Sequence, residues 1–525
     1  MFPQRQFSDA EIHRNRYAIA MVVTLAAMME LLDTSIVNVA ISQIMGNLGA
    51  TLEEVTWVST GYIVANVIVL PISGWLSNRF GRRNYFMGSI GLFIVASFFC
   101  GNADSLGALV FWRIVQGLGG GGLIATAQST IFETFPPREI GTGMAIFGMG
   151  IMMGPTLGPT VGGFITYHAA WPWIFYINIP IGIAALLVAN NILPDSRYQQ
   201  PVTRVDWTGI GLLAVSIGTL QVMLERGERL QWFDAAEIQL YAATSFFTFV
   251  AFIWHERRID HPVVDLSILR DRQYAAGLVF SFLLGMALFA TVFYLPLYLQ
   301  TLLGYNAWET GKVILPGALA NGFTMAVLGK LIEKHDNLDL RWLVVIGIGI
   351  FGLSMWQHGQ FTTQSGDHDF FWPLILRGVG LGFLFVPLNA LTMAHIQPRD
   401  VPNATGIYTL VRQLGGSVGI AAAAFLFVHW SAEYKADLAL HLVEGSPGTQ
   451  AGVFWMEAWL QARGTNAAQL QETLLRLLDA KLNAQSAMIA FEHIFMLFSV
   501  FLACALPMLL LMPRARGLRR GDADH

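Results

Sequence analysis

The stretch Trp112–Gly163, WRIVQGLGGGGLIATAQSTIFETFPPREIGTGMAIFGMGIMMGPTLGPTVGG, decides how this chain folds. It is an apolar run entered by a lone arginine, Arg113, then a polar break at Pro137-Arg138-Glu139, then a second apolar run paved with glycine and proline. The pattern recurs. Shifted by 261 positions without a gap, Gly117 meets Gly378, Gln128 meets Asn389, Pro137-Arg138-Glu139 meets Pro398-Arg399-Asp400, and Gly154 and Gly158 meet Gly415 and Gly419. Gapless register across a polar loop is harder to obtain by chance than shared hydrophobicity, so two halves of the chain follow one plan.

Composition sets the solvent. With 54% hydrophobic and 13% charged residues and a mean hydropathy of +0.52, the 525-residue chain carries about half the charge of an ordinary soluble protein. It needs a lipid bilayer around it. A net charge of -4 and the lack of a long basic run give no footing for nucleic acid. Cys100 and Cys504 both sit in apolar runs and offer neither a disulfide framework nor a metal cluster. No cofactor is expected. Parallel internal repeats in so hydrophobic a chain are the mark of a transporter whose substrate path runs between two related bundles.

Windows long enough to cross about 30 Å of hydrocarbon predict fourteen spans, near 17–40, 55–76, 85–101, 106–132, 141–166, 173–193, 206–224, 237–255, 274–301, 309–332, 342–358, 370–396, 403–430 and 486–512. An even number puts both ends on one side. Of the 31 lysines and arginines, 21 fall on the side of the N-terminus and six on the other, which predicts cytoplasmic termini. Arg5, Arg14 and Arg16 precede a first apolar stretch too long for a secretory leader, so a retained span is expected. The repeat pairs spans four and five with twelve and thirteen. The expected organisation is thus an all-α membrane protein with an N-terminal six-helix bundle (1–193), two inserted helices with connectors (194–273) and a C-terminal six-helix bundle (274–525). The last bundle includes a long outward loop, 431–485, in which Leu470, Leu474, Leu475, Leu477, Leu478 and Leu482 recur at near-helical spacing. That amphipathic helix either caps the bundle or faces a partner outside the membrane.

Glu30 and Asp33 lie three residues apart in the first span, hence on one helix face, at a depth where carboxylates are expensive and mark function. Burial and a neighbouring cation push a carboxyl group in opposite directions, so an acid held between them can exchange a proton for a substrate. Arg113 is the expected counter-ion, and a static ion pair that locks two helices is the plainer alternative. In span five Gly150, Gly154, Gly158 and Gly162 recur at fourfold spacing around Pro155 and Pro159, with Gly163 following. Such a smooth, bent helix either packs tightly on a neighbour or rocks against the opposite half. Between spans two and three, Gly74, Asn78, Arg79, Gly81, Arg82 and Arg83 form a tight basic turn, read as a topology signal or as a gating latch on helix C-termini or an acid.

These residues resemble the major facilitator superfamily, and within it the fourteen-span EmrB/QacA-type drug/proton antiporters. Leu32-Asp33-Thr34-Ser35-Ile36-Val37-Asn38-Val39-Ala40 looks like that group's first-span signature, and Arg113-Ile114-Val115-Gln116-Gly117 like the superfamily's fourth-span motif. The run Gly154–Gly163 is similar to the antiporter motif, and Trp171–Gly182 to the subgroup's sixth-span entry. The resemblance implies that Asp33 senses a proton or cation, that Arg113 couples to it, and that the Gly/Pro helix serves exchange rather than uptake. It also implies a periplasmic adaptor and an outer-membrane channel as partners. One departure is Asn78, where the loop motif usually carries an acid.

Other patterns mislead. Gly117–Gly122 matches GxGxxG and Gly415–Gly419 matches GxSxG, but both lie inside predicted membrane helices with no preceding strand, where packing explains them. No phosphate-binding GKS or GKT occurs, which argues against an ATP-driven pump. For the substrate site the candidates are Phe289, Phe293, Tyr294 and Tyr298 in span nine, the repeat-related amides Gln128 and Asn389, and Arg377 and Arg412, which could repel cations or hold anions. A broad apolar pocket with few polar anchors suits lipophilic small molecules. The expectation is a proton-driven exporter of toxic lipophilic compounds in a bacterial inner membrane, with a dedicated metabolite or siderophore exporter and a non-transporting receptor or scaffold as the alternatives.

Overall fold

The computed structural model describes residues 8–136, 139–199, 205–259, 262–335, 338–441, 447–463 and 467–510. Pro137 and Arg138 of the repeat, Arg5, Arg204, the arginines of the C-terminal tail and two pieces of the 431–485 segment lie outside the described residues.

The first half contains α1 (Asp9–Leu48), α2 (Leu52–Val55), α3 (Trp57–Phe80), α4 (Arg82–Gly101), α5 (Leu106–Gly120), α6 (Leu123–Thr134), α7 (Ile140–His168), α8 (Trp173–Tyr176) and α9 (Asn178–Ile192). The inserted pair is α10 (Trp207–Arg226) and α11 (Ala236–Glu256). The second half contains α12 (Arg272–Thr301), α13 (Ala307–Lys334), α14 (Leu340–His358), α15 (Asp367–Met393), α16 (Val401–His441), α17 (Pro447–Ala462) and α18 (Ala467–Ala503). Among the described residues, fourteen helical stretches are long and apolar enough to span a bilayer, the number predicted.

Local chemistry sets where these helices begin. Ser8 with Glu11, Thr51 with Glu54 and Asn306 with Glu309 form reciprocal caps, and Asp206 and Asp271 cap α10 and α12 through backbone N–H groups. Gly49, at φ 63°, closes α1 in the left-handed conformation that glycine adopts without strain.

In lipid, apolar side chains gain nothing by leaving the solvent, so helices associate where small residues let backbones approach. Gly117 sits against the Tyr62 carbonyl of α3, and its repeat mate Gly378 sits against the Gly317 carbonyl of α13. Likewise Gly154 packs on Leu31 of α1, and Gly415 on Phe282 of α12. The repeat seen in sequence is therefore a repeat of helix contacts. It also explains the false enzyme motifs, whose glycines are contact points between helices.

Several boundaries differ from the sequence reading. The 106–132 span is divided at Gly121-Gly122 into α5 and α6, because backbone of Asn66 and the Tyr85 ring crowd the two glycines and a side chain there would collide. The amphipathic stretch 468–483 is no separate helix but the start of α18, and α16 likewise runs on past its predicted end. Nothing breaks either helix at the membrane surface. Lys435 pairs with Asp479 at 2.6 Å to tie the two extensions together. Leu474 is buried, and α17 packs on α18 with Leu460 buried, so part of that apolar stripe is covered by this chain.

The halves meet along two seams. In one, α7 lies along α13, with Gly141 against Gly329 and Thr160 against Gly311; in the other, Gly74 of α3 meets Pro402 and Asn403, and Gly406 of α16 meets Leu70. The inserted α10 and α11 pack on each other through reciprocal Ser216 and Ser245 bonds of 2.9 and 3.2 Å, and α10 rests on α3 and α16.

Candidate functional site

Asp33 and Arg113 are both sealed inside the first bundle. The Asp33 side chain is 0% exposed and accepts from Arg113 Nη1 at 2.5 Å, Gln116 Nε2 at 3.0 Å and Asn178 Nδ2 at 2.7 Å. Thus α1 supplies the acid, α5 the cation and one amide, and α9 the other amide. Arg113 also donates to the Val58 carbonyl at 3.0 Å and to Gln116 Oε1 at 2.7 Å, and lies over the Tyr62 ring at 4.1 Å. Ser97 of α4 accepts from Gln116 at 2.7 Å. A buried charge pair stays ionised only when its remaining hydrogen-bonding capacity is met like this.

Glu30 is separate. Its Oε1 accepts from Asn66 Nδ2 of α3 at 2.6 Å, while buried Oε2 has no partner. The two acids share a face turned into the first bundle, and Leu31 between them turns to the centre of the molecule, where it lines a cavity.

That cavity, between the halves, is walled by Ile151, Met152, Pro155 and Thr156 of α7, by Leu288, Phe289 and Val292 of α12, and by α13 and α15. A second, smaller lobe continues past Pro159 and Thr310. Arg377 lines both lobes. Below them Gln128 donates to Asn389 at 2.7 Å, both residues fully buried. Repeat mates that touch each other lie on the axis relating the halves, and this pair lies toward the side of the 78–83 turn. Asn389 is twelve residues beyond Arg377 on α15, about 18 Å along a helix.

The substrate residues expected from sequence separate accordingly. Phe289 and Arg377 line the cavity. Phe293 does not, being 44% exposed on the outside of the molecule. Tyr294 packs against Phe427 and Phe491, and Tyr298 against Phe361 and Phe370 with its hydroxyl on the Thr362 carbonyl at 3.2 Å, so both belong to the second bundle's interior. Arg412 is buried against the Phe385 and Tyr408 rings. Gln128 and Asn389 bond to each other and are not among the residues lining the two lobes.

The glycine stripe also faces differently from the rocking alternative. Gly150, Gly154, Gly158 and Gly162 abut Thr24, Leu31, Ser35 and Ile36, all on α1 of the same bundle. The stripe presses α7 onto the helix that carries Asp33, and Pro155 and Pro159 face the cavity; another face of α7 meets the opposite half. In the basic turn, Gly81 has φ +83° with the Asp195 carboxylate against it. Arg82 pairs with Glu133, and Arg83 donates to the Asn190 carbonyl at 2.8 Å near the C-terminus of α9. Asn78 accepts from Gln199 at 2.8 Å through its carbonyl. The acid missing at position 78 has counterparts in Glu133 and Asp195, which sequence reasoning passed over.

Sequence reasoning also missed Gln116, Asn178, Ser97 and Asn321. Each is a polar residue inside an apolar span, a signal that was present but not exclusive to the site.

A description of the Major Facilitator Superfamily matches residues 23–420. The chain belongs to this superfamily. As a member it is a membrane transporter and not an enzyme, a multi-pass protein of the bacterial membrane. It is 32% identical over 434 residues to the multidrug export protein EmrB of Haemophilus influenzae, covering 82% of this chain and 84% of that one. It is 32% identical over 489 residues to the fatty acid resistance protein FarB of Neisseria gonorrhoeae, covering 93% and 94%. In fold it is similar to the human organic anion transporter MFSD10, with a TM-score of 0.57 at 13% identity over 95% of this chain and 100% of that one.

Proposed function

We propose that this superfamily member is a secondary active multidrug exporter that moves lipophilic toxic compounds out of the cell in exchange for protons. It sits in the inner membrane with both termini cytoplasmic, and delivers its substrate to a periplasmic adaptor and an outer-membrane channel. The relatives named for multidrug export and fatty acid resistance support the substrate range, and the 21-to-six distribution of positive charge supports the orientation. In that orientation the Gln128–Asn389 seam is the cytoplasmic gate.

The observation that carries the reading is the position of Asp33 on α1, two residues from cavity-lining Leu31. While ionised, Asp33 holds Arg113, Gln116 and Asn178, and so binds α1 to α5 and α9. A proton on Asp33 removes the charge from three hydrogen bonds and loosens α1. Because the glycine stripe couples α1 to α7, that change reaches both the cavity wall and the seam between halves. One proton moved down about 100 mV supplies about 2.3 kcal/mol, which sustains a roughly fiftyfold gradient of an uncharged solute at one-to-one exchange.

The test is flux of a lipophilic dye in proteoliposomes under an imposed pH gradient. Asp33→Asn is expected to abolish gradient-driven transport while leaving dye binding in place. Full gradient-driven transport by Asp33→Asn would overturn the assignment.

A further inference from the structure

Among the described residues, Arg377 is the only charged one lining either cavity lobe, and no carboxylate lines them. It is 6% exposed, and its Nη1 is buried without a partner. His358, which feels its charge, is an imidazole and supplies no countercharge. Asn321 lines the same cavity at 3% exposure, and its side-chain amide carries Nδ2–H donors that an anion could accept from. The repeat sharpens the contrast: Arg377 stands 261 residues after Gln116, whose amide is fully engaged by Asp33, Ser97 and Arg113. Arg412 adds a second guanidinium, 4% exposed, that lies against aromatic rings and, among the described residues, pairs with no acid. The first bundle neutralises its buried cation; the second does not.

A buried charge without a partner is costly, and an exporter tolerates it where the substrate supplies the missing charge. We propose that Arg377, with Asn321 beside it, seats the acidic head of an amphiphilic anion. The head is a single carboxylate or an oxyanion of like geometry, and the apolar body lies along Ile151, Leu288 and Phe289. The guanidinium fork matches such a head with two parallel N–H donors, which an ammonium could not reproduce. The assignment rests on the export reading and names the charge class that this cavity prefers.

The experiment titrates the purified full-length protein in nanodiscs, at neutral pH and without any gradient, with a dansyl-labelled medium-chain fatty carboxylate and with its primary amide. The unmodified protein is expected to bind the carboxylate about tenfold more tightly than the amide, the scale of one charge-assisted hydrogen bond. Arg377→Gln should bring the two Kd values within about twofold of each other, and Arg377→Lys should restore part of the preference. No preference in the unmodified protein, or an undiminished one in Arg377→Gln, would overturn the anion seat. If Arg377→Gln does not fold, the comparison of the two probes on the unmodified protein decides alone. Binding without proton-driven flux would instead refute the exchange reading and leave the seat standing.

Discussion

At the scale of single residues, the charge pair is the point of greatest leverage. Removing one partner leaves the other buried and uncompensated, so Arg113→Ala is expected to destabilise the protein by about 3–5 kcal/mol. Asp33→Asn combined with Arg113→Gln should recover part of that loss, because neither charge is then stranded. Thermal unfolding of the three variants in detergent checks the order. A double variant no better than Arg113→Ala would mean that the pair acts through packing of the Arg113 stem against Tyr62 instead of through charge. Asp33 and Arg113 were legible in the sequence because ionisable residues in apolar spans stand out. Their amide partners were not, since Gln116 and Asn178 are two among many polar residues in the spans and only the fold brings them to one carboxylate.

At the scale of elements, the glycines of α7 are positions of contact and those of α4 are not uniformly so. A Cβ at Gly154 would lie 2.8 Å from the Leu31 Cβ, whereas one at Gly91 would meet nothing within 4 Å. Gly154→Val should therefore force α7 off α1, cost about 1–3 kcal/mol and impair transport. Gly91→Ala should instead raise stability by up to about 1 kcal/mol through helix propensity. Midpoints of thermal unfolding together with dye flux separate the two, and equal effects would contradict the assigned packing. The fourfold spacing announced a smooth face. It could not announce the partner, and the structure turns that face to α1 of the same bundle.

At the scale of the whole molecule, the proposed exchange cycle requires the seam at the 78–83 end to open. A Cβ at Gly329 would lie 2.7 Å from the Gly141 carbonyl oxygen of the other half. Gly329→Val is therefore expected to hold α13 off α7 at this seam and to impair dye flux. Undiminished flux by Gly329→Val would show that transport does not need this seam to close tightly. The same scale explains why α16 and α18 run past their predicted spans: the added stretches pair with each other through Lys435 and Asp479, and α17 packs on α18, so neither helix has reason to break.

Sequence alone determined the number of spans, the internal repeat, the acid and arginine in the first half, and the residues from which a cavity could be drawn. Those properties are written locally, because each span in lipid must be apolar and self-satisfied in its backbone whatever its neighbours do. The tertiary structure decided which side of each helix looks at the path: Phe293 turned outward, Tyr294 and Tyr298 into the second bundle, Gln128 onto Asn389, and Arg377 into the cavity. A helix such as α12, apolar around most of its circumference, carries no polar stripe to give its orientation away. Its rotation is set by backbone contacts such as Gly285 against the Arg412 carbonyl of α16, more than a hundred residues distant in the chain.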